Sequence, residues 1–349
     1  MSVKILALET SCDETSAAVV ADGSKILSNI ISSQVDVHQK FGGVVPEVAS
    51  RKHLELLNHV VEEALLEAGL GFGDLDAIAV TYGPGLVGAL LVGVSAAKAA
   101  AYGLDLPLVG VNHIEGHIYA NFAVAPGLEF PLVCLVVSGG HTDLVYMEKH
   151  GSYRVLGKTR DDAAGEAFDK VARTLGLGYP GGPLIERLAG KGDPEAIKLP
   201  RAYLEKGSLD FSFSGLKSAV INYLHRAEQK NKAVNRADLA AGFQQAVSDV
   251  LVDKTIEAAV ETGVSTILLA GGVAANKRLR EDLAERAGKE SLRLNVPPLV
   301  LCTDNAAMVA CAAYYKFLRN SFAPLTLNAV PGLQLGEEKY EGNFRRIML

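Results

Sequence analysis

The chain opens on a strand, a polar loop and a second strand, and it does so twice. VKILAL at 3–8 is apolar enough for a buried strand. It runs into the acidic, hydroxyl-rich turn Glu9–Thr15, resumes as SAAVV at 16–20, and continues through DGSKILSNIISSQV into a third strand. Such a hairpin-led sheet differs from an immediate βαβ unit, whose first strand feeds a helix. PLVCLVVSGGHTDLVYM repeats the arrangement, with strands over about 132–137 and 142–147 around a glycine turn. The likeness in kind, at weak identity, points to an internal duplication and two lobes.

The rest of the chain alternates strand, glycine turn and helix, which is an α/β pattern. Residues 53–68 carry apolar side chains at helical spacing. DLDAIAVTYGPG reads as strand and turn, and Leu86–Tyr102 as a small-residue helix. PLVGV at 107–111 is a short strand, and NHIEGHIYA opens the next helix. The expected lobes are 1–125 and 126–325, the second carrying a mostly helical insertion over about 161–262. An extended tail, 326–349, is expected to cross the surface. With 349 residues, 49% of them hydrophobic and 21% charged, two cores are within reach and global disorder is excluded.

Composition narrows the function classes. A net charge of −6 argues against coating duplex nucleic acid alone, which needs Lys and Arg. Cys12, Cys134, Cys302 and Cys311 lack CxxC spacing, so free thiols in a reducing, cytoplasmic setting are expected. The apolar stretch Leu86–Ala101 is rich in small residues and broken by Lys98, so no membrane span is expected.

His113 and His117 are the sharpest local feature. At i and i+4 they share one helix face, the geometry that offers two imidazoles to one metal. A pair of partly buried histidines is the plain alternative. HIEGH is not HExxH, and Glu115 points off the histidine face. Asp304 is the best third ligand. It follows the strand-like PPLVLC, so its carboxylate is expected at the C-terminal edge of a strand. Alternatively Thr303, Asp304 or Asn305 simply caps the next helix. Two His and one Asp suit Fe, Zn or Mn. Glu9 and Asp13, in ETSCDET, could hold metal, position water or bond a substrate, or merely make a polar turn.

Four glycine loops look built for close backbone approach to a ligand: Gly83–Gly85, Val137–His141, Gly181–Pro183 and Gly271–Asn276. None is a P-loop and none has GxGxxG spacing. His141 follows Ser138-Gly139-Gly140, but no GxSxG elbow supports a Ser–His hydrolase. In DDAAGEAFDK, Asp162, Glu166 and Asp169 fall near one helix face, and one of them could take ribose hydroxyls. Helix-dipole complementarity explains them equally well. Arg51, Lys52, Lys217, Lys277, Arg278 and Arg280 could steer a phosphate-rich partner or face solvent.

Taken in order, ETSCDET, GGVVPEVASRKH, GPGLVGALLVG, NHIEGH, VSGGHT, DDAAGEAFDKVARTLGLGYPGGP, SFSGLKSA, GGVAANKRLR and CTDNAAM span essentially the whole chain. The set resembles the bacterial tRNA N6-adenosine threonylcarbamoyltransferase family. The resemblance implies an actin/hexokinase/heat-shock-ATPase-like (ASKHA) fold of two ribonuclease H-like domains. It implies that His113, His117 and Asp304 hold one divalent metal, Fe2+ first, with Zn2+ or Mg2+ in some preparations. It also implies that Val137, Ser138, Gly139, Gly140, His141, Asp169, Gly182, Glu186 and Asn276 hold threonylcarbamoyl-AMP. Asp13 and His141 become the candidate catalytic residues. The activity expected is threonylcarbamoyl transfer to N6 of adenosine 37 in the anticodon loop of tRNAs reading codons that start with A. The expected partners are tRNA, a shorter paralogue and a small ATPase. A sugar or small-molecule kinase on the same fold is the enzymatic alternative.

Overall fold

The computed structural model describes residues 2–205 and 207–338. The chain divides into two compact units. Among the described residues, the first takes those up to Leu128, His150–Ser152 and those from Pro297 on; the second takes those of Glu129–Lys149 and Tyr153–Val296.

The first unit holds β1 (Lys4–Glu9), β2 (Glu14–Ala21), β3 (Lys25–Ser33), the one-turn α1 (Val35–His38) and α2 (Pro46–Ala68). It continues through β4 (Ala77–Gly83), α3 (Val87–Leu104), β5 (Leu108–Asn112) and α4 (His113–Val124). The second unit holds β6 (Leu132–Val137), β7 (Thr142–Lys149), β8 (Ser152–Lys158), α5 (Ala164–Thr174) and α6 (Gly181–Ala189). It continues with α7 (Ser214–Gln229), α8 (Arg236–Thr262), β9 (Thr266–Ala270), α9 (Lys277–Lys289) and β10 (Arg293–Asn295). The last helix, α10 (Ala306–Leu318), belongs to the first unit again.

The two sheets have one topology. The first runs β3-β2-β1-β4-β5 and the second β8-β7-β6-β9-β10. In each, the opening strand pairs antiparallel with its hairpin partner on one side and parallel with a later strand on the other. The duplication read from the two openings therefore extends to five strands per sheet. The central strands are buried on both faces, β1 from Ile5 to Glu9 and β6 throughout. Parallel pairing with helices on the faces demands such continuous apolar runs.

The expected lobe boundary needs correction. The boundary at 325 fails because α10 packs on β1 and β2 of the first sheet, with Ala306–Ala313 buried. The described part of the tail, 326–338, does run largely exposed over the surface, but it is anchored. Leu327 and Leu333 are buried in the first core, Val330 N–H bonds the Tyr82 carbonyl at 2.8 Å, and residues 339–349 lie outside the described part. This explains Gly83: a Cβ there would sit 2.0 Å from the Val330 carbonyl oxygen, so the glycine admits the chain's own backbone rather than a ligand. Strand β8, SYRVLGK, has no apolar run to mark it, and only Gly157 in it is buried. The helix α3 does reach the length and hydropathy of a membrane span, 18 residues at mean hydropathy 1.5. It lies on β4, with Ala89, Leu90, Val94, Ala97 and Ala101 buried.

Candidate functional site

The first unit brings the two histidines and the distant aspartate together. Asn112 ends β5 and caps α4, its Oδ1 accepting the N–H groups of Ile114 at 2.8 Å and Glu115 at 3.3 Å. The cap sets where α4 begins, and so which face carries His113 and His117. Their rings cross at 79° with centroids 4.6 Å apart. Asp304 Oδ1 lies 3.1 Å from His117 Nε2 and 3.6 Å from His113 Nε2. One ligand atom from each of the three lies within 4.8 Å of the others.

Asp304 does not stand at a strand edge. Pro297 and Pro298 lack the N–H a ladder requires, and Leu299–Leu301 form a single 3-10 turn. Capping of α10 falls to Asn305, whose Oδ1 accepts Met308 N–H at 3.0 Å. Ser16 in β2 accepts Ala306 N–H at 2.9 Å and so ties the helix start to the first sheet. The carboxylate of Asp304 thus projects from a loop held at both ends.

The environment fits a cation. His117 is fully buried, and neither ring nitrogen has a hydrogen-bond partner. The 3.1 Å approach of Asp304 is close contact without hydrogen-bond alignment. Buried polar atoms are normally satisfied, so an orphaned imidazole facing a carboxylate and a second imidazole is the signature of a ligand set. The His113–His117–Asp304 cluster can hold one divalent metal. Glu115 turns away, as its spacing requires, and pairs with Lys316 at 3.3 Å in the interior.

Acidic groups surround the histidines. Glu9, wholly buried, has Oε2 3.3 Å from His113 Nδ1. Burial pushes the Glu9 carboxyl up, but the neighbouring His113 outweighs it and holds it below the usual range. Burial likewise pulls His113 down, and Asp304 and Glu9 more than reverse it, raising His113 to about 9 without metal. Burial, Asp304 and Asp13 together push the Glu14 carboxyl well up. Asp13 is only 7% exposed. Its loop is fixed by Gln34 N–H on the Asp13 carbonyl at 2.9 Å and by His53 Nε2–H on the Cys12 carbonyl at 3.0 Å.

The second unit gathers the remaining predicted positions near the C-terminal ends of β6 and β9. Ser138 closes a turn with residue 141: its N–H bonds the His141 carbonyl at 2.8 Å, and its Oγ accepts the His141 N–H at 3.1 Å. That hydroxyl serves the turn rather than a nucleophile's role. Gly139 and Gly140 are exposed at its tip. Gly271 has φ +91°, and a Cβ there would meet the Val137 carbonyl at 2.4 Å. Asp169 Oδ1 accepts Gly181 N–H at 2.6 Å, beside Gly182, and Glu186 Oε1 accepts Lys277 N–H at 2.8 Å. Asn276 caps α9 through Leu279 N–H at 3.0 Å and donates to Gln244 at 3.0 Å. The loop 137–141 and the starts of α5, α6 and α9 thus form one connected wall.

Other candidates are structural. Asp162 and Glu166 share Lys170 at 2.7 and 2.8 Å, and Asp162 also takes Lys217. Asp161 accepts the Ser212 and Ser214 hydroxyls and the N–H of Phe213 before α7. Arg51, Lys52, Lys277 and Arg278 each pair with a carboxylate three or four residues away. The Glu9 contact with His113 was not readable in advance, because 104 residues separate them.

Residues 25–311 match the model of the family described as tRNA N6-adenosine threonylcarbamoyltransferase. The chain belongs to that family. The tRNA N6-adenosine threonylcarbamoyltransferase of Desulfitobacterium hafniense strain Y51 is 64% identical over 333 residues, covering 95% of this chain and 98% of the relative. That of Moorella thermoacetica is 64% identical over 331 residues, covering 95% and 97%. Among solved structures, T. kodakarensis HypF superimposes with a TM-score of 0.63 at 15% identity, covering 94% of this chain and 50% of that one. Component A of the Acidaminococcus fermentans (R)-2-hydroxyglutaryl-CoA dehydratase gives 0.54 at 15% identity, covering 90% and 98%. At such identity these show fold alone, and the fold is the two-lobed actin/hexokinase-like one.

Proposed function

We infer that this chain transfers the threonylcarbamoyl group of threonylcarbamoyl-AMP to N6 of adenosine 37 in tRNAs reading codons that start with A, releasing AMP. The observation that carries this is the family match across 25–311 together with the intact His113, His117 and Asp304 constellation. In the transfer, the N6 lone pair forms the new C–N bond, the carbonyl–phosphate C–O bond breaks, and one N6 proton leaves. The adenine amine is a weak nucleophile because its lone pair is delocalised, so orientation and proton removal matter. Asp13, buried in a loop fixed by His53 and Gln34, is our candidate to orient the amine or take its proton.

The wall formed by Val137, Ser138, Gly139, Gly140, His141, Asp169, Gly182, Glu186 and Asn276 is our candidate for holding the adenylate donor. Exposed glycines at 139 and 140 leave backbone amides open to phosphate. His141 is assigned a ligand contact there. Among divalent ions we favour Fe2+, since two imidazoles and one carboxylate suit it better than Mg2+. Bound at His113, His117 and Asp304, the cation supplies a Lewis acid for an acyl oxygen.

We further propose a cytoplasmic chain that works without a membrane. It would share anticodon-loop binding with a shorter paralogue and a small ATPase. The net charge of −6 supports shared rather than sole tRNA binding. Mass spectrometry of tRNA nucleosides after reconstitution with synthetic threonylcarbamoyl-AMP tests the reading. Modified adenosine should form only when this chain is present. Its absence with every partner supplied overturns the assignment.

A further inference from the structure

We propose that Glu9 is a positioning residue for the metal centre, holding the His113 ring by its Nδ1–H so that Nε2 faces Asp304 and His117. The proposal rests on reading those three residues as ligands. Glu9 ends β1, and His113 opens α4 just after β5. The two are brought together by the sheet order β1-β4-β5.

The carboxylate is fully buried, and a buried charge is costly unless its lone pairs are taken. Ser11 N–H donates to Oε1 at 2.6 Å, and the Thr81 hydroxyl donates to Oε2 at 2.6 Å. The remaining contact of Oε2 is His113 Nδ1 at 3.3 Å, with the Ser11 hydroxyl 3.1 Å from the same nitrogen. A carboxylate only accepts, so the proton of this pair sits on Nδ1. Nε2, on the other side of the ring, lies 3.6 Å from Asp304 Oδ1, so with a cation bound it is the nitrogen that would present its lone pair to the cluster. Glu9 is thus behind the ligand, not a fourth ligand. Carboxylate partners of this kind fix tautomer and ring orientation and raise ligand basicity.

Glu9→Gln separates this role from packing. It keeps the shape and one carbonyl for Ser11 N–H. Its amide NH2, however, would face His113 Nδ1, which must then accept, and the proton moves to Nε2 where the ligand lone pair is needed. Zn2+ affinity, measured by competition with a chromophoric chelator, should fall about 10- to 100-fold. Nitrogen-15 histidine spectra of the zinc-loaded proteins should show the His113 proton on Nδ1 in the wild type. In metal-free E9Q it should appear on Nε2. Lost packing alone would weaken binding without moving that proton. A folded E9Q chain that binds Zn2+ as tightly as wild type overturns the proposal while leaving the ligand set intact. If E9Q fails to fold, the wild type decides: zinc-loaded His113 lacking an Nδ1 proton overturns it. A wild-type chain that takes up no zinc defeats the ligand set itself, and the role of Glu9 with it.

Discussion

Replacing His117 with leucine separates what the histidine costs the fold from what it does for metal. Both ring nitrogens are buried without hydrogen bonds in the metal-free chain. An unsatisfied buried polar group costs ~1–3 kcal/mol. Leucine is close in volume, so it removes that cost with little overpacking or cavity. In EDTA the variant should therefore be as stable as wild type or up to about 3 kcal/mol more stable. Zinc at a hundredfold excess over its Kd stabilises a binding-competent chain by about 2.7 kcal/mol, and should leave the variant unmoved. Zinc thus raises wild type relative to the variant by about 2.7 kcal/mol, whatever their order in EDTA. With an m-value near 3 kcal/mol/M, the zinc step is a urea-midpoint shift of roughly 1 M and the EDTA difference a shift of up to about 1 M. Urea unfolding followed by circular dichroism, with zinc content measured on the same samples, reads both arms. A variant clearly less stable than wild type in EDTA would mean that the nitrogens are satisfied. A variant gaining the wild-type zinc shift would mean that His117 is no ligand. Either result refutes the reasoning.

Three further outcomes are expected. Asp13→Ala should slow single-turnover transfer by about 10²–10⁴-fold while donor binding holds, and an unchanged rate removes Asp13 from proton handling. Leu333→Ala, at a side chain 2% exposed, should cost ~2–5 kcal/mol in urea unfolding; a loss near zero would mean that Leu333 does not anchor the tail in the core. Burial, then Arg319, pulls His150 down to about 4, so its folded pKa lies below the unfolded value near 6.5. The unfolded chain therefore binds the extra proton first, and stability is lost as pH falls from about 6.5 toward 4. His150→Phe should flatten that part of the pH–stability curve, and an unchanged slope there would assign the acid loss to other groups.

Local chemistry was legible where it depended on neighbours along the chain. The i, i+4 histidines need only a helix, and Asn112 before them is a cap by type, so that face could be read directly. Apolar runs at 3–8 and 132–137 announced buried strands because both faces of a central strand are covered. Each glycine loop, by contrast, looked alike in sequence. Gly83 admits the Val330 carbonyl, while Gly139 and Gly140 stay open at the tip of a turn. Nothing local distinguishes a glycine that meets its own backbone from one that awaits a ligand.

By itself, then, the sequence determined the strand-loop-strand openings, the histidine face and, through its ordered motifs, the family. Tertiary structure alone decided that α10 and the tail return to the first sheet. It also decided that Asp304 projects from a loop and that Glu9 stands behind His113. These are contacts between positions about a hundred residues or more apart. Periodicity reports which face of an element is buried, but strand order decides what lies against that face.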